Sequence, residues 1–186
     1  MNLAAVERDL YDKAFAIDAY SIESPGELFA PAFLEMAAPN VGESVLDAGC
    51  GTGKGALALE ACGLRPTLLD LVDARIDAAM HFPFIGAACL WRALPVQCDW
   101  AYCCDVLEHI PEEFTMLVAM RVIHAAKHGA FFSIALEPDN FGTLLGEPLH
   151  KTVRPFTWWR DHLSELGGVA ACRDVLTNGL YLVEPR

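Results

Sequence analysis

Short apolar runs alternate with longer amphipathic stretches along most of the chain. Runs with the length and composition of buried strands occur at residues 44–49, 66–70, 82–88, 99–104 and 129–136. Residues 53–63 and 111–127 repeat their apolar positions with helical spacing, and the second of these stretches begins at Pro111. This alternation predicts right-handed βαβ units and a mostly parallel sheet that helices cover on both faces.

The pattern changes near the C-terminus. One more helix, FTWWRDHLSEL, begins at residue 156 and is followed by strand candidates at 169–176 and 179–184. The dipeptide Asn178-Gly179 separates the two candidates, and Asn-Gly is a preferred sequence for a two-residue hairpin turn. We therefore expect the chain to end in an antiparallel hairpin.

The first forty residues predict two helices that end near Pro39 and pack outside the sheet. The chain has 186 residues, of which 54% are apolar and 20% charged, so it can bury a core of its own. We expect one domain over residues 1–186, with a helical cap at 1–40 and an α/β core at 41–186.

Composition narrows the classes of partner. The net charge is −12 and the 13 Lys and Arg residues form no cluster, which disfavours nucleic acid. The seven cysteines are odd in number and include no CxxC pair, which is typical of reduced thiols in a cytoplasmic protein. The N-terminus is charged where a secretory leader would be apolar, and no apolar stretch is long enough for a bilayer. We expect a cytoplasmic protein with no membrane partner, whose oligomeric state the sequence does not set.

The segment VLDAGCGTGKG, residues 45–55, places an acid and four glycines directly after the first predicted strand. A phosphate loop of the Walker type needs a first glycine and a final Ser or Thr, and Ala48 and Gly55 hold those two positions here. The segment therefore lacks the magnesium-binding hydroxyl of such a loop.

A dinucleotide-binding turn is a closer fit by spacing, as Gly51-x-Gly53-x-x-Ala56 with Asp70 at a suitable distance for a ribose. Charge argues against it, because the carboxylate of Asp47 would lie where a diphosphate meets the helix N-terminus. The same carboxylate attracts a ligand that carries positive charge. The turn therefore favours a cationic ligand.

The pattern Asp47-x-Gly49-x-Gly51-x-Gly53 resembles motif I of the class I S-adenosylmethionine-dependent methyltransferases. Three further segments follow in the order of that family: Asp70 at the end of the second strand, DVLEHIP at 105–111, and HKTVRPFTWW at 150–159, which is similar to a segment of the small-molecule branch. The resemblance covers roughly residues 41–184. It implies a Rossmann-like three-layer sandwich with a seven-stranded, mostly parallel sheet and a C-terminal antiparallel hairpin.

The resemblance also implies S-adenosylmethionine as cofactor and S-adenosylhomocysteine as product. The implied cofactor contacts are Asp47, Gly49, Cys50, Gly51, Gly53, Asp70, Leu71, Leu90, Trp91, Asp105 and Val106. One position departs from the family, which commonly has an adenine-binding acid four residues before a Leu-Pro pair. Leu90 holds that position here, so we expect backbone groups and apolar packing to hold the adenine.

Methyl transfer requires few catalytic side chains, because the sulfonium is already an activated electrophile. Alignment of the acceptor with the methyl group can supply much of the rate enhancement. A general base is needed only when the acceptor has a proton to lose. Ligands of open α/β sheets bind at the carboxyl ends of the strands. This points to His109 and His150 as catalytic candidates and to Glu108, Asn140 and Arg154 as substrate contacts.

Other patterns bear on the substrate. His124 and His128 share a helical face but have no third ligand, so no metal site is predicted. The chain lacks both the Asn/Asp-Pro-Pro-Tyr/Trp signature and the Pro-Cys pair of nucleic-acid methylases. Residues 137–155 have no strong periodicity and three prolines, which predicts a loop at the pocket mouth. The N-terminal helices, with Tyr11 and Tyr20, complete the predicted lid.

The sequence thus predicts a methyltransferase that uses S-adenosylmethionine to methylate a small molecule at oxygen or nitrogen by in-line transfer. Two alternatives stay open. An inactive protein that binds S-adenosylmethionine or S-adenosylhomocysteine, as a sensor or regulatory subunit, is favoured by the missing adenine-binding acid. A nicotinamide-dependent oxidoreductase is disfavoured by Asp47 and by the hairpin.

Overall fold

The computed structural model of the protein describes residues 3–92 and 94–186. Its strands are β1 (Ser44–Ala48), β2 (Arg65–Leu69), β3 (Phe84–Ile85), β4 (Cys98–Cys104), β5 (Ala126–Ala135), β6 (Gly168–Val175) and β7 (Asn178–Glu184). Within the described residues they form one seven-stranded sheet in the order β3-β2-β1-β4-β5-β7-β6. Strands β1 to β5 pair in parallel, and β7 is antiparallel to both of its neighbours. The predicted Rossmann-like sheet is confirmed.

Helices cover both faces of the sheet. They are α1 (Leu3–Phe15), α2 (Asp18–Ile22), α3 (Pro25–Ala37), α4 (Lys54–Ala61), α5 (Glu112–His124), α6 (Gly142–Leu145) and α7 (Phe156–Leu166). On one face, α3 and α4 pack Phe33 and Leu59 against the side chains of β4 and β5. On the other face, α5 and α7 contribute Val122 and Trp159 to the largest cluster of buried apolar residues. The fold is therefore a three-layer sandwich.

Helix α3 differs from the expected cap. It begins at Pro25, where the Ser24 hydroxyl accepts a hydrogen bond from the Glu27 amide at 3.2 Å, a typical N-cap. Its Phe33 is fully buried against the aromatic rings of the sheet. Three helices therefore form where two were predicted, and the third of them packs directly on the sheet rather than outside it.

The alternation of strands and helices fails after β2. In the described residues, the connection from β2 to β3 holds only the 3₁₀ turn Asp77–Ala79, and no α-helix joins β3 to β4. Strand β3 itself spans two residues instead of the predicted seven. Pro83 has no amide hydrogen and Gly86 has no side chain to pack, and these two residues flank the short strand.

The C-terminal hairpin forms, but its turn lies two residues earlier than predicted. Val175 pairs with Asn178, so the turn residues are Leu176 and Thr177. Asn178 lies inside β7, where it also pairs with Ala135 of β5. Its side chain is buried and hydrogen-bonded, and these bonds outweigh its local preference for a turn.

Truncation of Phe33 tests how firmly α3 belongs to the core. We expect Phe33→Ala to lower the free energy of unfolding by about 3 to 5 kcal/mol, because it removes a buried ring that contacts Tyr102 and Phe131. Leu28→Ala on the same helix removes a side chain that is 70% exposed and should change stability little. Urea denaturation measures both variants. Equal effects of the two would show that α3 is only loosely attached.

Candidate functional site

The glycine-rich segment forms a sharp turn at the carboxyl end of β1. Gly49, Gly51 and Gly53 all have positive φ, which glycine adopts without steric cost. The amides of Gly49 and Cys50 both donate to the carbonyl of Leu69, at 2.8 and 3.2 Å, which ties the turn to the end of β2. The turn thus exposes backbone at the edge where adjacent parallel strands end.

Asp70 holds this turn in place. Its Oδ2 accepts a hydrogen bond from the Gly51 amide at 2.8 Å, and its Oδ1 accepts one from the Val72 amide at 3.1 Å. Burial raises the pKa of Asp70 and these backbone hydrogen bonds lower it, with burial the larger effect. Asp70 therefore lies at the cleft and supports the turn at the same time.

Gly53 and Lys54 serve the fold rather than the cleft. Gly53 is the N-cap of α4 and does not line either cavity, so the structure does not bring it together with the other predicted cofactor contacts. The ammonium of Lys54 donates to the carbonyls of Ser21 and Ile22, at 3.2 and 3.0 Å, at the end of α2. Lys54 is therefore not available to a phosphate, which also argues against a phosphate loop.

Two adjoining cavities lie beside the turn. The first, here the apolar cavity, measures about 120 Å³ and is lined by Glu7, Tyr11, Asp70, Leu71, Ala88, Cys89, Leu90, Trp91, Val106 and Ile110. The second, here the acidic cavity, measures about 590 Å³, and its lining includes Glu23, Asp47, Cys50, Glu137, Asp139, Asn140, Phe141 and His150. Both are also lined by Phe15, Tyr20, Gly49, Gly51, Asp105 and His109. Every predicted cofactor residue except Gly53 lines one cavity or both.

Asp47 is the most unusual charge in this cleft. It is 4% exposed, and its Oδ2 has no hydrogen-bond partner among the described residues. Burial, and to a lesser extent the charge of Asp70, raise the pKa of Asp47 to about 7. A buried acceptor without a donor is destabilising, so this carboxylate is suited to a ligand that brings a donor or a positive charge.

Asp105 lies where the two cavities meet, directly after β4. Its φ is +51°, an uncommon conformation for a residue with a side chain. Its Oδ1 accepts hydrogen bonds from Ser133 Oγ at 2.6 Å and from Asn178 Nδ2 at 2.9 Å. Burial raises the pKa of Asp105 and these two hydrogen bonds lower it. The local sequence does not predict Asn178 at this site, because its hydrogen-bond partners lie on or next to other strands.

His109 and His150 come together in the acidic cavity, as does Asn140. The two rings meet edge to face with centroids 4.8 Å apart. Nδ1 of His109 lies 3.2 Å from the carbonyl of Leu149, and Nδ1 of His150 lies 2.6 Å from that of Glu137. Burial and the neighbouring His150 lower the pKa of His109 to about 3. His109 is therefore neutral near pH 7 and a weak proton acceptor in this conformation.

Glu108 and Arg154, which were predicted as substrate contacts, are not among the residues that line the two cavities. Glu108 is fully buried, and its Oε1 accepts a hydrogen bond from the Ala135 amide at 2.9 Å. Its backbone carbonyl also accepts from the amides of Lys151 and Thr152. Arg154 is exposed and pairs with Glu112 at 2.5 Å. Both side chains lie outside the two cavities.

One face of α1 closes the cleft from above. Glu7, Tyr11 and Phe15 are four residues apart, so they lie on the same side of the helix and all line the apolar cavity. Tyr11 packs against His109, with ring centroids 5.7 Å apart. Glu7 forms an ion pair with Lys151. Sequence analysis identified Tyr11 and Tyr20 as lid residues but missed Glu7 and Phe15, although their spacing was a usable signal.

Three potential metal ligands also converge here. Glu108, His109 and His150 each offer one ligand atom, and these atoms lie within 4.8 Å of one another. The prediction of no metal site considered only His124 and His128, because His150 is distant in the sequence. Among the described residues, no helix combines the length and apolar content needed to cross a membrane.

Comparison with known proteins identifies the family. A family model described as a methyltransferase domain matches residues 22–172, and the chain belongs to this family. A ubiquinone biosynthesis O-methyltransferase of Bordetella parapertussis is 29% identical over an alignment of 109 residues that covers 53% of this chain and 45% of that protein. The chain therefore spans about half the length of the curated relatives it matches.

Solved structures share the fold. The 1,6-didemethyltoxoflavin-N1-methyltransferase of Burkholderia thailandensis, with bound 1,6-didemethyltoxoflavin and S-adenosylhomocysteine, aligns with a TM-score of 0.76 at 16% identity over 98% of this chain and 88% of that chain. The magnesium protoporphyrin IX methyltransferase of Synechocystis PCC 6803, with bound S-adenosylmethionine, gives a TM-score of 0.64 at 19% identity over 85% and 79% of the two chains. At these identities the likeness concerns the fold.

The raised pKa of Asp47 predicts how stability depends on pH without a ligand. The group releases its proton near pH 4 when unfolded and near pH 7 when folded, so the free energy of unfolding should fall as pH rises through this window. Asp47→Asn removes this dependence. We expect the free energy of unfolding of Asp47→Asn, relative to that of the wild type, to rise by on the order of a few kcal/mol between about pH 5 and about pH 8.

Denaturant unfolding of the two proteins at both pH values measures this change. Asp73→Asn is the matched control, because Asp73 is exposed and its pKa is lowered by the hydrogen bond from Arg75. That acid stays ionised across the window in the folded and unfolded states. A gain for Asp47→Asn that is the same at both pH values would contradict the raised pKa.

Proposed function

We propose that the chain is a methyltransferase that transfers the methyl group of S-adenosylmethionine to an oxygen or nitrogen of a small molecule. The observation that carries this proposal is the buried carboxylate oxygen of Asp47, which has no hydrogen-bond partner in the described part of the chain and lies in a cleft bounded by glycine backbone. S-adenosylmethionine brings a sulfonium and an ammonium, and both are attracted to such a carboxylate. Membership of the methyltransferase domain family supports the same conclusion.

In this proposal each of the two cavities holds one part of the cofactor. The apolar cavity would take the adenosine, with Asp70 at the ribose and Leu71, Leu90 and Trp91 packing on the adenine. The acidic cavity would take the methionine part beside Asp47 and Cys50. Leu90 is buried where an adenine-binding acid is common, so apolar contact would replace that hydrogen bond.

The charge of the cleft separates this ligand from a dinucleotide. Among the described residues, no Lys or Arg lines either cavity, and the nearby Lys54 is bound to carbonyls of α2. A diphosphate would meet Asp47 and Asp70 without a compensating cation. The nicotinamide-dependent alternative is therefore the weaker one.

In the reaction, the acceptor oxygen or nitrogen attacks the methyl carbon, the bond from sulfur to that carbon breaks, S-adenosylhomocysteine leaves, and the proton of the acceptor passes to solvent. The acidic cavity, with Asn140, Phe141 and His150 at its rim, is the place for the acceptor. His109 lies between the two cavities and would position the acceptor by hydrogen bonding, because its lowered pKa makes it a weak base. The Bordetella relative is named for O-methylation and the Burkholderia structure for N-methylation, which supports both kinds of acceptor.

A second function rests on a specific observation. The leucine at the adenine position and the weakly basic His109 would also suit a protein that binds S-adenosylmethionine or S-adenosylhomocysteine without transferring methyl. Such a protein would act as a sensor or regulatory subunit, and either form is proposed to act in the cytoplasm.

Cofactor binding is tested at Asp70. We expect Asp70→Ala to weaken S-adenosylhomocysteine binding about 100-fold, because it removes a charged acceptor of ribose hydrogen bonds and loosens the turn at Gly51. Titration calorimetry measures the affinity, and circular dichroism checks the fold. Asp73→Ala, which removes an exposed acid three residues away, should bind normally. Unchanged affinity of Asp70→Ala, or tight binding of NAD by the wild type, would contradict the proposal.

Methyl transfer itself is tested with S-adenosylmethionine that carries a labelled methyl group. We expect the wild-type chain to label a compound in a panel of hydroxylated aromatic compounds and nitrogen heterocycles, with one S-adenosylhomocysteine formed per methyl transferred. The cofactor-binding variant Asp70→Ala should transfer none. Tight cofactor binding without transfer to any compound in the panel or in a metabolite extract would support the non-catalytic alternative.

A further inference from the structure

Three side chains that can each donate a lone pair meet at the acidic cavity, two on its lining and one buried next to them. One ring nitrogen of His109, one ring nitrogen of His150 and one carboxylate oxygen of Glu108 lie within 4.8 Å of one another. The two histidines line the cavity, and Glu108 is fully buried beside them. The set joins the 3₁₀ turn Leu107–His109 to the loop that follows α6, so folding alone assembles it.

Hydrogen bonds to backbone carbonyls determine which nitrogen each histidine presents. Nδ1 of His109 faces the Leu149 carbonyl at 3.2 Å, and Nδ1 of His150 faces the Glu137 carbonyl at 2.6 Å. A carbonyl only accepts, so each Nδ1 carries the ring proton and each Nε2 is left with a free lone pair. Metal-binding histidines are commonly oriented in this way, by a carbonyl or carboxylate that accepts the other ring N–H.

Glu108 adds an oxygen that folding leaves without a partner. Its Oε1 accepts from the Ala135 amide at 2.9 Å, whereas its Oε2 is buried and unpartnered among the described residues. Leaving a buried carboxylate oxygen without a donor is destabilising. In the described part of the chain no Lys or Arg lines the acidic cavity, and the nearby Lys151 is paired with Glu7. Within residues 3–92 and 94–186, neither the cavity lining nor Lys151 therefore supplies a positive charge to this oxygen.

We propose that Glu108, His109 and His150 bind a divalent transition-metal ion of the zinc and cobalt class. Two neutral imidazoles and a carboxylate are a common ligand set for such ions, and the remaining coordination positions would open into the cavity. Ligand atoms on one such ion lie about 2.0 to 2.2 Å from it and hence about 3 to 4 Å from each other. One ligand atom from each of the three residues lies within 4.8 Å of the other two, which is close to this spacing.

The position of the ion gives it a consequence for catalysis. A cation held by these ligands would lower the pKa of an acceptor hydroxyl bound to it, and it would take over from His109 the positioning of the acceptor. This consequence rests on the proposed function, whereas the binding of the metal does not. A test of metal binding alone therefore keeps the two proposals distinguishable.

Cobalt(II) added to the purified, metal-free chain is the probe, because its visible absorption reports the type and number of ligands. We expect one equivalent to bind with a spectrum of nitrogen and oxygen ligation. Glu108→Gln and His150→Ala should each weaken binding about tenfold or more. His81→Ala is the matched control, because it removes an exposed histidine that pairs with a carboxylate, Glu60, away from the cleft. It should bind cobalt as the wild type does.

Two results would overturn the proposal. One is a wild-type affinity no higher than that of His150→Ala. The other is a sulfur-to-cobalt charge-transfer band, which would place the ion on one of the seven cysteines. Circular dichroism and thermal unfolding check each variant. If Glu108→Gln does not fold, the cobalt affinity of His150→Ala alone tests the proposal. This variant removes a side chain from the cavity wall rather than from the core, so it should fold.

Discussion

The cleft depends on the hydrogen bonds of one carboxylate. The glycine turn after β1 has little side-chain support of its own, and Asp70 supplies it by accepting from the Gly51 amide on one side and the Val72 amide on the other. This contact exists because β1 and β2 are adjacent and parallel, so that their carboxyl ends meet. Charge-assisted hydrogen bonds of this kind are stronger than neutral ones, which helps a bend of positive φ to keep one conformation.

The surroundings of this turn concentrate acidic side chains. Asp47 and Glu108 are buried, Asp70 and Asp105 are partly buried, and burial is the largest cause of a raised pKa in all four. Grouping acids in a poorly solvated cleft opposes folding, since each disfavours ionisation of the next. Because a bound cation would relieve this destabilisation, the cleft is suited to bind positive charge. The sulfonium of a cofactor and a metal ion at the acidic cavity are two separate ways to supply it.

The sequence predicts the sheet well because each long strand has its own apolar run and the glycine motif fixes the crossover between β1 and β2. Prediction from the sequence fails where a contact with a residue distant in the sequence determines the local conformation. Asn178 has the local signature of a turn, yet Asp105 and Ser133 hold it inside a strand. Glu108 has the signature of a helix-start acid near the substrate, yet the Ala135 amide holds it in the core. The sequence places His109 and His150 at the same edge of the sheet as catalytic candidates, but about forty residues separate them, so it does not predict that their rings meet.

Two lysines near the cleft form contacts with the N-terminal helices and not with Asp47. Lys54 follows the glycine turn, where a phosphate-binding protein would direct it to the ligand, but here it binds the carbonyls at the end of α2. Lys151 lies beside the histidines, but it pairs with Glu7 of α1. Both cations therefore fasten the lid to the core. Phe15 and Tyr20 of that lid line both cavities. The contacts that hold the lid in place engage the ammonium groups of the two lysines, and these contacts therefore keep both positive charges away from Asp47. A cationic ligand is then the remaining partner for that carboxylate.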